Sequence, residues 1–419
     1  MSGAAAAETA VAEAVDEARL WDRLMVLAKL GAIPGDGVNR QALTSLDRDA
    51  RRLMIGWAEA AGAAVTIDAA ANLWLRRQGT DPDTAPMLTG SHMDSQPAGG
   101  RFDGIYGVVA GLEVLTALHQ AGVRTRRPLE VVAWTNEEGS RFAPGCMGSM
   151  AWSGFRTIES FADIADPDGV RFGDALAEHL AAESDLPRRE LGHVPHAYIE
   201  AHIEQGPRLE AEGLDIGVVT GIQGSRWFEV TLRGESAHAG TTPLSLRRDA
   251  VQDMLRAVTA LNTLMHDPQD VLRFTVGRIA VQPNSSNSVA DRATFTIDLR
   301  HPDNAVLSAR GDAIAGVVQS ALRTCTASVE ETFGATPTAF DPTVIETIER
   351  ATAALGYRSV PMPSGAFHDA QFVSRVAPTA MIFVPSHRGI SHNPAEYTSP
   401  AQCAAGTRVL ARALTELAE

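Results

Sequence analysis

Four short apolar runs are the feature that most restricts how this chain can fold. They cover residues 87–91, 129–135, 197–203 and 379–384. Runs of this length and composition are typical of strands buried on both faces, as in a parallel sheet covered by helices. After the first run, apolar residues recur at steps of three and four from Ile105 to about Gln120, and Gly122 follows. This pattern predicts a helix that packs on the sheet.

The segment after about Gly217 has a different pattern. Residues 226–233 and 294–300 alternate apolar and polar side chains, as strands with one exposed face do. Helical periodicity occupies 249–264 and 304–322. We therefore predict an α/β catalytic domain with a mixed sheet, interrupted by a smaller inserted α+β domain. The expected limits are 1–216 and 334–419 for the first domain and 217–333 for the inserted one.

The charge balance argues against two classes of partner. The chain has 419 residues, of which 51 are acidic and 36 basic, giving a formal net charge of −15. This charge repels phosphate backbones and anionic lipid headgroups, so we expect neither nucleic acid nor a membrane as a partner. The start of the chain lacks the features of a secretory signal, and no run of about 18 apolar residues follows. Three widely spaced cysteines fit a reducing compartment, so we expect a cytoplasmic protein.

Polar side chains cluster where the apolar runs end. The segment GSHMDSQPAGGRFDG follows the first run and holds His92, Asp94 and Asp103 around a glycine pair that permits a tight turn. The other runs carry similar residues at or after their ends: Glu137 and Glu138 in TNEEGSRF, His202 in AHIEQGP and His392 in SHNPAE. In open α/β sheets the ligand site lies beyond the carboxyl ends of the strands. We therefore expect these side chains to converge.

Histidines and carboxylates from several strand ends are the ligand types of a two-metal hydrolase site. Taken singly, each histidine could be an ordinary hydrogen-bonded residue, and the Glu137-Glu138 pair could be a solvated acidic turn. The recurrence of the pattern at four strand ends favours the metal site. Two divalent ions about 3.5–4 Å apart need a bridging carboxylate, and Asp103 is the best-placed candidate. The remaining donors then form one histidine pair and one glutamate-histidine pair.

These motifs resemble those of the hydantoinase/carbamoylase amidases of the M20 metallopeptidase clan. That group includes β-ureidopropionases, N-carbamoyl-L-amino acid hydrolases and allantoate amidohydrolases. The similarity extends from about Leu20 to Tyr397, in the blocks SHMDSQPAGGRFDG, TNEEGSRFAPGCMGS, HIEQGP, GESAHAGTTPLSLRRDA, IDLRHP and GISHNPAE. The residues that match the family's metal ligands are His92, Asp103, Glu138, His202 and His392, with Asp103 as the bridge. In related peptidases a carboxylate stands at the position of His202, so this histidine indicates the amidase branch.

The resemblance also implies catalytic roles and an assembly. Glu137 matches the general base, and Asp94 matches the carboxylate that orients the imidazole of a metal-bound histidine. The inserted domain matches a lid and dimerisation domain. Its His238 matches a residue that reaches the active site of the partner subunit and stabilises the oxyanion, so a homodimer is expected. By spacing alone, His238 would be a turn residue.

Substrate-binding positions follow from the same resemblance. Gln205 matches a position that binds the ureido group, while Asn287 and Arg300 match further substrate-binding positions. By spacing alone, Arg300 would be a solvated charge on a strand and Gln205 a structural amide. Where the family commonly reads SGAGHDA near the substrate carboxylate, this chain has SGAFHDA, with Ser364, Gly365 and Phe367 at candidate binding positions. A phenyl ring replaces a hydrogen atom at Phe367, so the substrate pocket must differ there.

The implied function is hydrolysis of an N-carbamoyl amino acid to the amino acid, carbon dioxide and ammonia, with Arg300 binding the substrate carboxylate. Allantoate hydrolysis, or aminoacylase or peptidase activity on an ordinary amide, are alternatives, because fold and metal site do not choose the substrate. A binding protein without catalysis is a further alternative. The presence of Glu137 beside all five ligand positions argues against it. The ligand set suits two divalent ions per subunit, Zn²⁺ or Mn²⁺, with Co²⁺ or Ni²⁺ also suited.

Overall fold

The computed structural model describes residues 3–419, which form two compact units. The first unit comprises the chain up to Thr220 together with Phe340–Glu419, and the second is Gly221–Ala339. The inserted unit therefore starts and ends a few residues later than the 217–333 expected from the sequence. Its function as a lid and dimerisation domain stays a prediction.

The first unit contains most of the helices. Its helices are α1 (Gly3–Glu13), α2 (Glu17–Leu27), α3 (Ser45–Ala60), α4 (Ile105–Gln120), α5 (Met147–Trp152), α6 (Phe172–Ala182), α7 (Arg208–Glu212), α10 (Pro342–Ala354), α11 (Ala370–Val373) and α12 (Pro400–Leu417). Its strands are β1 (Ala32–Ile33), β2 (Gly37–Val38), β3 (Ala64–Ile67), β4 (Leu73–Arg77), β5 (Met87–His92), β6 (Leu129–Trp134), β7 (Ala197–Ile203), β16 (Ser359–Ser364) and β17 (Thr379–Val384). Strand β8 (Ile216–Ile222) runs across the boundary into the second unit. Among residues 3–419, no helix combines the length and apolar character needed to cross a membrane.

The second unit is a smaller α+β element. Its strands are β9 (Gly224–Arg233), β10 (Ala237–His238), β11 (Arg273–Gln282), β12 (Ser288–Val289), β13 (Arg292–His301), β14 (Thr326–Ala335) and β15 (Thr338–Ala339), and its helices are α8 (Ala250–Leu264) and α9 (Asn304–Ala321). Strands β11, β13, β9 and β14 form an antiparallel sheet in that order. The apolar face of this sheet, including Phe228, Phe295 and Leu299, packs with residues of α8 and α9 in one core.

The first unit is built on a mixed sheet with the strand order β8-β17-β7-β5-β6-β4-β3, and the last two residues of β8, which belong to the second unit, pair with β15. Strands β17, β7, β5 and β6 are its parallel centre, while β8 and β4 pair antiparallel on either side. These four parallel strands coincide with the four apolar runs, and all of their residues are buried. The predicted fold class, an α/β domain with a mixed sheet and an inserted α+β domain, is confirmed.

A buried carboxylate connects α8 to the start of β14 in the second unit. Asp253 has no exposed side-chain surface and accepts hydrogen bonds from the main-chain N–H groups of Arg323, Thr324 and Cys325 and from the guanidinium of Arg256. Burial alone would raise the pKa of Asp253, but these hydrogen bonds hold it well below its ordinary value. Because the folded-state pKa is the lower one, this stabilisation is present above the unfolded pKa of about 3.9 and is lost as the pH falls.

Replacement of Asp253 by Asn is expected to destabilise the second unit by about 2–4 kcal/mol, because buried N–H groups lose their charged acceptor. Native-state hydrogen exchange in α8 and β14 measures this change separately from the first unit. Asp270→Asn is the control, since Asp270 is an exposed carboxylate that forms a surface ion pair with Arg273, and its replacement should change stability by less than about 0.5 kcal/mol. The difference between wild type and Asp253→Asn should shrink as the pH is lowered towards about 3. Equal protection in the two variants at neutral pH would contradict this account.

Candidate metal centre

The predicted donors come from separate segments of the first unit. His92 ends β5 and His202 lies in β7, while Asp103 and Glu138 lie in the loops after β5 and β6, and His392 lies in the loop after β17. The side chain of His392 is 51% exposed, whereas those of the other four are almost completely buried. The parallel strands end at one edge of the sheet, and that shared edge brings these donors together.

Asp103 offers a different oxygen to each of two donor groups. Its Oδ1 lies 3.1 Å from Nε2 of His202 and 3.9 Å from Nε2 of His92. Its Oδ2 lies 3.2 Å from Nε2 of His392, which in turn is 3.5 Å from Oε2 of Glu138. This arrangement corresponds to a carboxylate between two cation positions, one beside a histidine pair and one beside a glutamate-histidine pair.

The chemistry of the donors fits divalent metal ions. In each group, His92-Asp103-His202 and Asp103-Glu138-His392, the candidate ligand atoms all lie within 4.8 Å of one another. Imidazole nitrogens combined with carboxylate oxygens suit Zn²⁺, Mn²⁺, Co²⁺ and Ni²⁺. The residues present are therefore those that a divalent metal needs.

A third group of potential ligands lies beneath this cluster but is occupied by hydrogen bonds. Glu200, His202 and His368 bring ligand atoms within 4.8 Å of one another. However, the Glu200 carboxylate accepts hydrogen bonds from the Ser91 hydroxyl, the Tyr198 hydroxyl and the main-chain N–H of Ala370. Because both carboxylate oxygens already accept hydrogen bonds, we assign Glu200 to the support of the neighbouring strands and not to a third metal position.

Asp103 controls the ionisation of the histidines around it. Burial alone would lower the pKa of His202, but the hydrogen bond with Asp103 raises it to about 9. A hydrogen bond with the same carboxylate raises the pKa of His392 to about 9. Burial lowers the pKa of His92 to about 4. These hydrogen bonds outweigh burial and hold the pKa of Asp103 well below its ordinary value, so they favour its anionic form.

Several other carboxylates are crowded around this anion. Burial raises the pKa of Asp94 to about 7, that of Glu138 to about 8 and that of Glu396 to about 7. Burial also raises the pKa of Glu137 well above its ordinary value, and the nearby charge of Asp369 adds to this shift. Ionised carboxylates at this density are stabilised by positive charge among them, so the electrostatics agree with the donor chemistry in favouring a bound cation.

The main chain and the carboxylate of Asp94 contact different residues. The Nδ1 atom of His92 is hydrogen-bonded to the main-chain oxygen of Asp94 at 3.0 Å, whereas the Asp94 carboxylate lies 3.7 Å from that nitrogen. The carboxylate itself accepts the main-chain N–H groups of Glu137 and Glu138, each at 3.2 Å. The main-chain oxygen of Asp94, and not its predicted carboxylate, therefore orients the His92 imidazole. The carboxylate of Asp94 instead holds the turn that carries Glu137 and Glu138.

Glu137 lies beside the donor cluster, as its predicted role requires. Its Oε2 atom is 3.4 Å from Nε2 of His92, and its Oε1 atom is 3.8 Å from the thiol of Cys146. Glu138 is held by Gln96, whose side-chain amide donates to Oε2 at 2.7 Å and whose main-chain N–H donates to Oε1 at 3.1 Å. Gln96 was missed in the sequence, although it belongs to the same polar segment as His92.

Gln205 is placed against the bridging carboxylate. Its side-chain amide nitrogen donates to Oδ2 of Asp103 at 2.9 Å, and it also reaches the hydroxyl of Ser391 at 3.2 Å. Its amide oxygen has no hydrogen-bond partner among the described residues although it is buried. A buried acceptor without a partner costs free energy, so this oxygen is a suitable acceptor for an N–H group of a ligand.

The segment after β16 lies beside His202. The Ser364 side chain is buried and is 2.9 Å from Nε2 of His368, whose ring packs edge-on against that of His202 with 4.5 Å between centroids. Gly365 is exposed and Phe367 is half-buried. Ser364 thus contacts the cluster through His368, a residue of the SGAFHDA segment for which the sequence predicted no role.

The other predicted residues lie in the second unit. His238 ends β10, and its Nδ1 atom accepts the main-chain N–H groups of Gly240 and Thr241 at 3.0 and 3.2 Å. In the neutral ring the proton is therefore on Nε2, which makes that atom a donor. Asn287 precedes β12, and its side-chain oxygen accepts the hydroxyl of Ser285. Arg300 lies on β13 and pairs through two nitrogens with the carboxylate of Asp298.

Comparison with known proteins agrees with the motifs. The model of peptidase family M20/M25/M40 matches residues 88–416. The chain belongs to this family. It is also 42% identical over 410 residues to an N-carbamoyl-L-amino-acid amidohydrolase of Rhizobium meliloti, with 97% of each chain covered. An allantoate amidohydrolase of Bacillus subtilis (strain 168) is 34% identical over 404 residues, covering 95% of this chain and 97% of that one.

A solved structure agrees as well. The amidase of the hydantoinase/carbamoylase family from Burkholderia multivorans matches with a TM-score of 0.89 and 45% sequence identity, covering 96% of this chain and 98% of that chain. The predicted membership of the hydantoinase/carbamoylase amidases is confirmed, and with it the prediction of a metal-dependent hydrolase. The assignment of individual donors and substrate-binding residues stays a prediction.

Replacement of Asp94 by Asn is expected to loosen the turn that carries Glu137 and Glu138, because a carboxamide offers one acceptor oxygen where the carboxylate offers two. Divalent metal affinity should fall about 10–100-fold, and hydrogen exchange at the two main-chain amides should accelerate. A competition titration with a chromophoric chelator measures the first effect. Asp81→Asn, a change in the exposed loop before β5, is the control. Unchanged metal affinity in Asp94→Asn would show that the turn holds itself.

Proposed function

We propose that the protein hydrolyses the ureido C–N bond of N-carbamoyl-L-amino acids, releasing ammonia, carbon dioxide and the free amino acid. The observation that carries this choice is the buried amide oxygen of Gln205 beside Asp103, which accepts no hydrogen bond from any residue that the structure describes. A carbamoyl group ends in an NH₂ that can donate to this oxygen, whereas an acetyl group ends in a methyl that cannot. The name of the Rhizobium meliloti relative supports the same substrate class.

Two divalent ions per chain are part of this proposal. His92 and His202 would hold one, Glu138 and His392 would hold the other, and Asp103 would contribute one oxygen to each. Zn²⁺ or Mn²⁺ is our first choice, and Co²⁺ or Ni²⁺ also suits these ligands. When bound, such ions polarise a carbonyl and lower the pKa of water.

Glu137 supplies the proton transfers. It takes a proton from the attacking water as the water oxygen adds to the ureido carbonyl carbon, and it returns the proton to the leaving nitrogen as the C–N bond breaks. Ammonia departs, and the remaining N-carboxy group is lost as carbon dioxide. The distance of 3.4 Å between Oε2 of Glu137 and Nε2 of His92, a proposed ligand, supports this role. A protein that only binds its ligand has no use for this carboxylate.

Residues of the second unit complete the proposed mechanism. His238 would donate from Nε2 to the oxygen of the tetrahedral intermediate, and Arg300 would bind the substrate carboxylate through two parallel hydrogen bonds. Asn287 would add a further polar contact to the substrate. In the first unit, Ser364, Gly365 and Phe367 would contact the substrate. The phenyl ring of Phe367 favours a pocket shaped for an apolar side chain.

The compartment is the remaining part of the proposal. Cys146, Cys325 and Cys403 are all free thiols, which is the usual state of cysteines in a reducing compartment. We therefore place the enzyme in the cytoplasm.

Allantoate hydrolysis is the second candidate function, because allantoate also carries ureido groups and the Bacillus subtilis relative bears that name.

Turnover by metal-reconstituted protein tests the substrate. Ammonia release measures hydrolysis of the ureido compounds, and release of the free amino acid measures hydrolysis of the N-acetyl compounds, which yield acetate and no ammonia. The panel comprises N-carbamoyl-L- and D-α-amino acids, N-carbamoyl-β-alanine, allantoate and N-acetyl-L-amino acids, and we expect the highest kcat/KM with an N-carbamoyl-L-α-amino acid. Glu137→Gln should lower kcat by about a thousandfold with metal content unchanged. Glu59→Gln, at an exposed position of α3, should keep the full rate. Preference for allantoate would select the second candidate, and preference for an N-acetyl substrate would reject the proposed role of Gln205.

Mixing two inactive variants tests the proposed homodimer. If His238 serves the partner's active site, a hybrid of Glu137→Gln and His238→Ala subunits contains one site with both functional residues. Co-expression should then restore about a quarter of wild-type activity, because half of randomly formed dimers are hybrids with one working site. Co-expression of His238→Ala with itself is the control. Absence of any recovery in a purified hybrid would place His238 in its own subunit's site or outside catalysis.

A further inference from the structure

Glu396 is a buried carboxylate that connects two loops of the metal centre. Its side chain is 1% exposed, and its Oε1 atom accepts the main-chain N–H groups of Phe102 and Asp103, both at 3.0 Å. Its Oε2 atom accepts the hydroxyl of Ser391 at 3.0 Å. One carboxylate therefore binds the main chain of the proposed bridging residue and the residue directly before His392.

The loop before Asp103 is shaped to admit this carboxylate. A Cβ atom added to Gly100 would lie 2.1 Å from Oε1 of Glu396 and 2.4 Å from its Cβ. Non-bonded carbon and oxygen atoms do not approach this closely, so any side chain at position 100 must displace Glu396. The second glycine of the pair in SHMDSQPAGGRFDG thus has a specific requirement, which is space for a glutamate almost three hundred residues later in the chain.

The two donor groups differ in how their histidines are supported. His92 and His202 belong to β5 and β7, where neighbouring strands fix the main chain. His392 lies in a loop, has a φ of +52° and is half exposed. Its position relative to Asp103 depends on contacts between loops. The Ser391 hydroxyl lies 3.2 Å from Oδ2 of Asp103 but has a single proton, which the closer Glu396 carboxylate accepts.

We propose that Glu396 is a positioning residue that joins the His392 loop to the Asp103 loop and so forms the Asp103-Glu138-His392 donor group. The inference rests on the ligand assignment made under the proposed function. It is specific in direction: loss of Glu396 should weaken this donor group and leave the His92-Asp103-His202 group largely intact, because strands hold its histidines.

Zn²⁺ titration of the full-length, metal-free protein tests the proposal without substrate. Competition with a chromophoric chelator gives the two dissociation constants, and His392→Ala and His92→Ala show which constant belongs to which group. One of the two Zn²⁺ sites should disappear in His392→Ala. In Glu396→Ala, the dissociation constant of that site should rise at least about tenfold, while the dissociation constant of the other site changes less than about threefold. Asp341→Ala is the matched control. The Asp341 carboxylate also accepts two main-chain N–H groups, at the start of α10.

Two further variants separate positioning from charge and from folding. Glu396→Gln keeps an oxygen that can accept both main-chain N–H groups, and its NH₂ group can donate to the Ser391 oxygen in place of accepting the Ser391 proton, so both constants should stay within about fivefold of wild type. An equal loss in Glu396→Gln and Glu396→Ala would mean that charge matters and would overturn the positioning role. Gly100→Ala keeps Glu396 but displaces it, and should weaken the same constant as Glu396→Ala. It therefore decides the question if Glu396→Ala does not fold.

The remaining outcomes are also decisive. Two unchanged constants in Glu396→Ala, or an equal loss of both, would overturn the proposed selectivity. A wild-type chain that binds two Zn²⁺ ions but hydrolyses none of the substrate panel would reject the substrate assignment alone, because the titration does not depend on turnover. A wild-type chain that binds fewer than two Zn²⁺ ions would reject the ligand assignment itself.

Discussion

The parallel pairing of β17, β7, β5 and β6 is the constraint on which the site depends. Register places the last residue of β5, His92, opposite the last residue of β6, and it places His202 of β7 opposite Phe383 of β17. The four parallel strands therefore end at the same edge of the sheet, and the polar residues in the loops that follow them lie close together. Burial of the strands on both faces then makes any unpaired charge at that edge expensive. A cluster of carboxylates in such a place is stable only with hydrogen bonds, protons or cations.

Much of this arrangement could be predicted from sequence. The four apolar runs predicted the parallel strands because burial on both faces leaves a continuous apolar signature, and the polar segments after them indicated the donor cluster. The sequence did not reveal Gln96 or Glu396. A carboxylate or amide that binds main-chain N–H groups of a distant loop has no periodicity, and its partners can be recognised only after the chain has folded. The same reason explains why the contacts of Asp94 with Glu137 and Glu138 could not be predicted.

The turns around the cluster are also held in conformations that most residues avoid. Asn136, Gln205 and His392 adopt φ values of +56°, +56° and +52°, each of which costs of the order of 1 kcal/mol or more for a residue with a side chain. Contacts from outside the turns offset this cost. The side chain of Asn136 donates to the main-chain oxygen of Phe142, and the main-chain N–H of Gln205 donates to the hydroxyl of Ser386. The turns at Asn136 and Gln205 are thus held by hydrogen bonds to Phe142 and Ser386, which lie outside the proposed donor set.

The inserted unit begins and ends in one antiparallel ladder. Gly221 and Ile222 of β8 pair with Ala339 and Thr338 of β15, so the two connections are adjacent strands about 5 Å apart. A two-residue turn could join strands at this spacing as readily as a whole domain does. The strand order of the large sheet therefore does not depend on the length or fold of the segment between residues 222 and 338. Insertion, deletion or exchange of residues in this segment can therefore proceed in evolution without altering the pairing of the strands that carry His92 and His202.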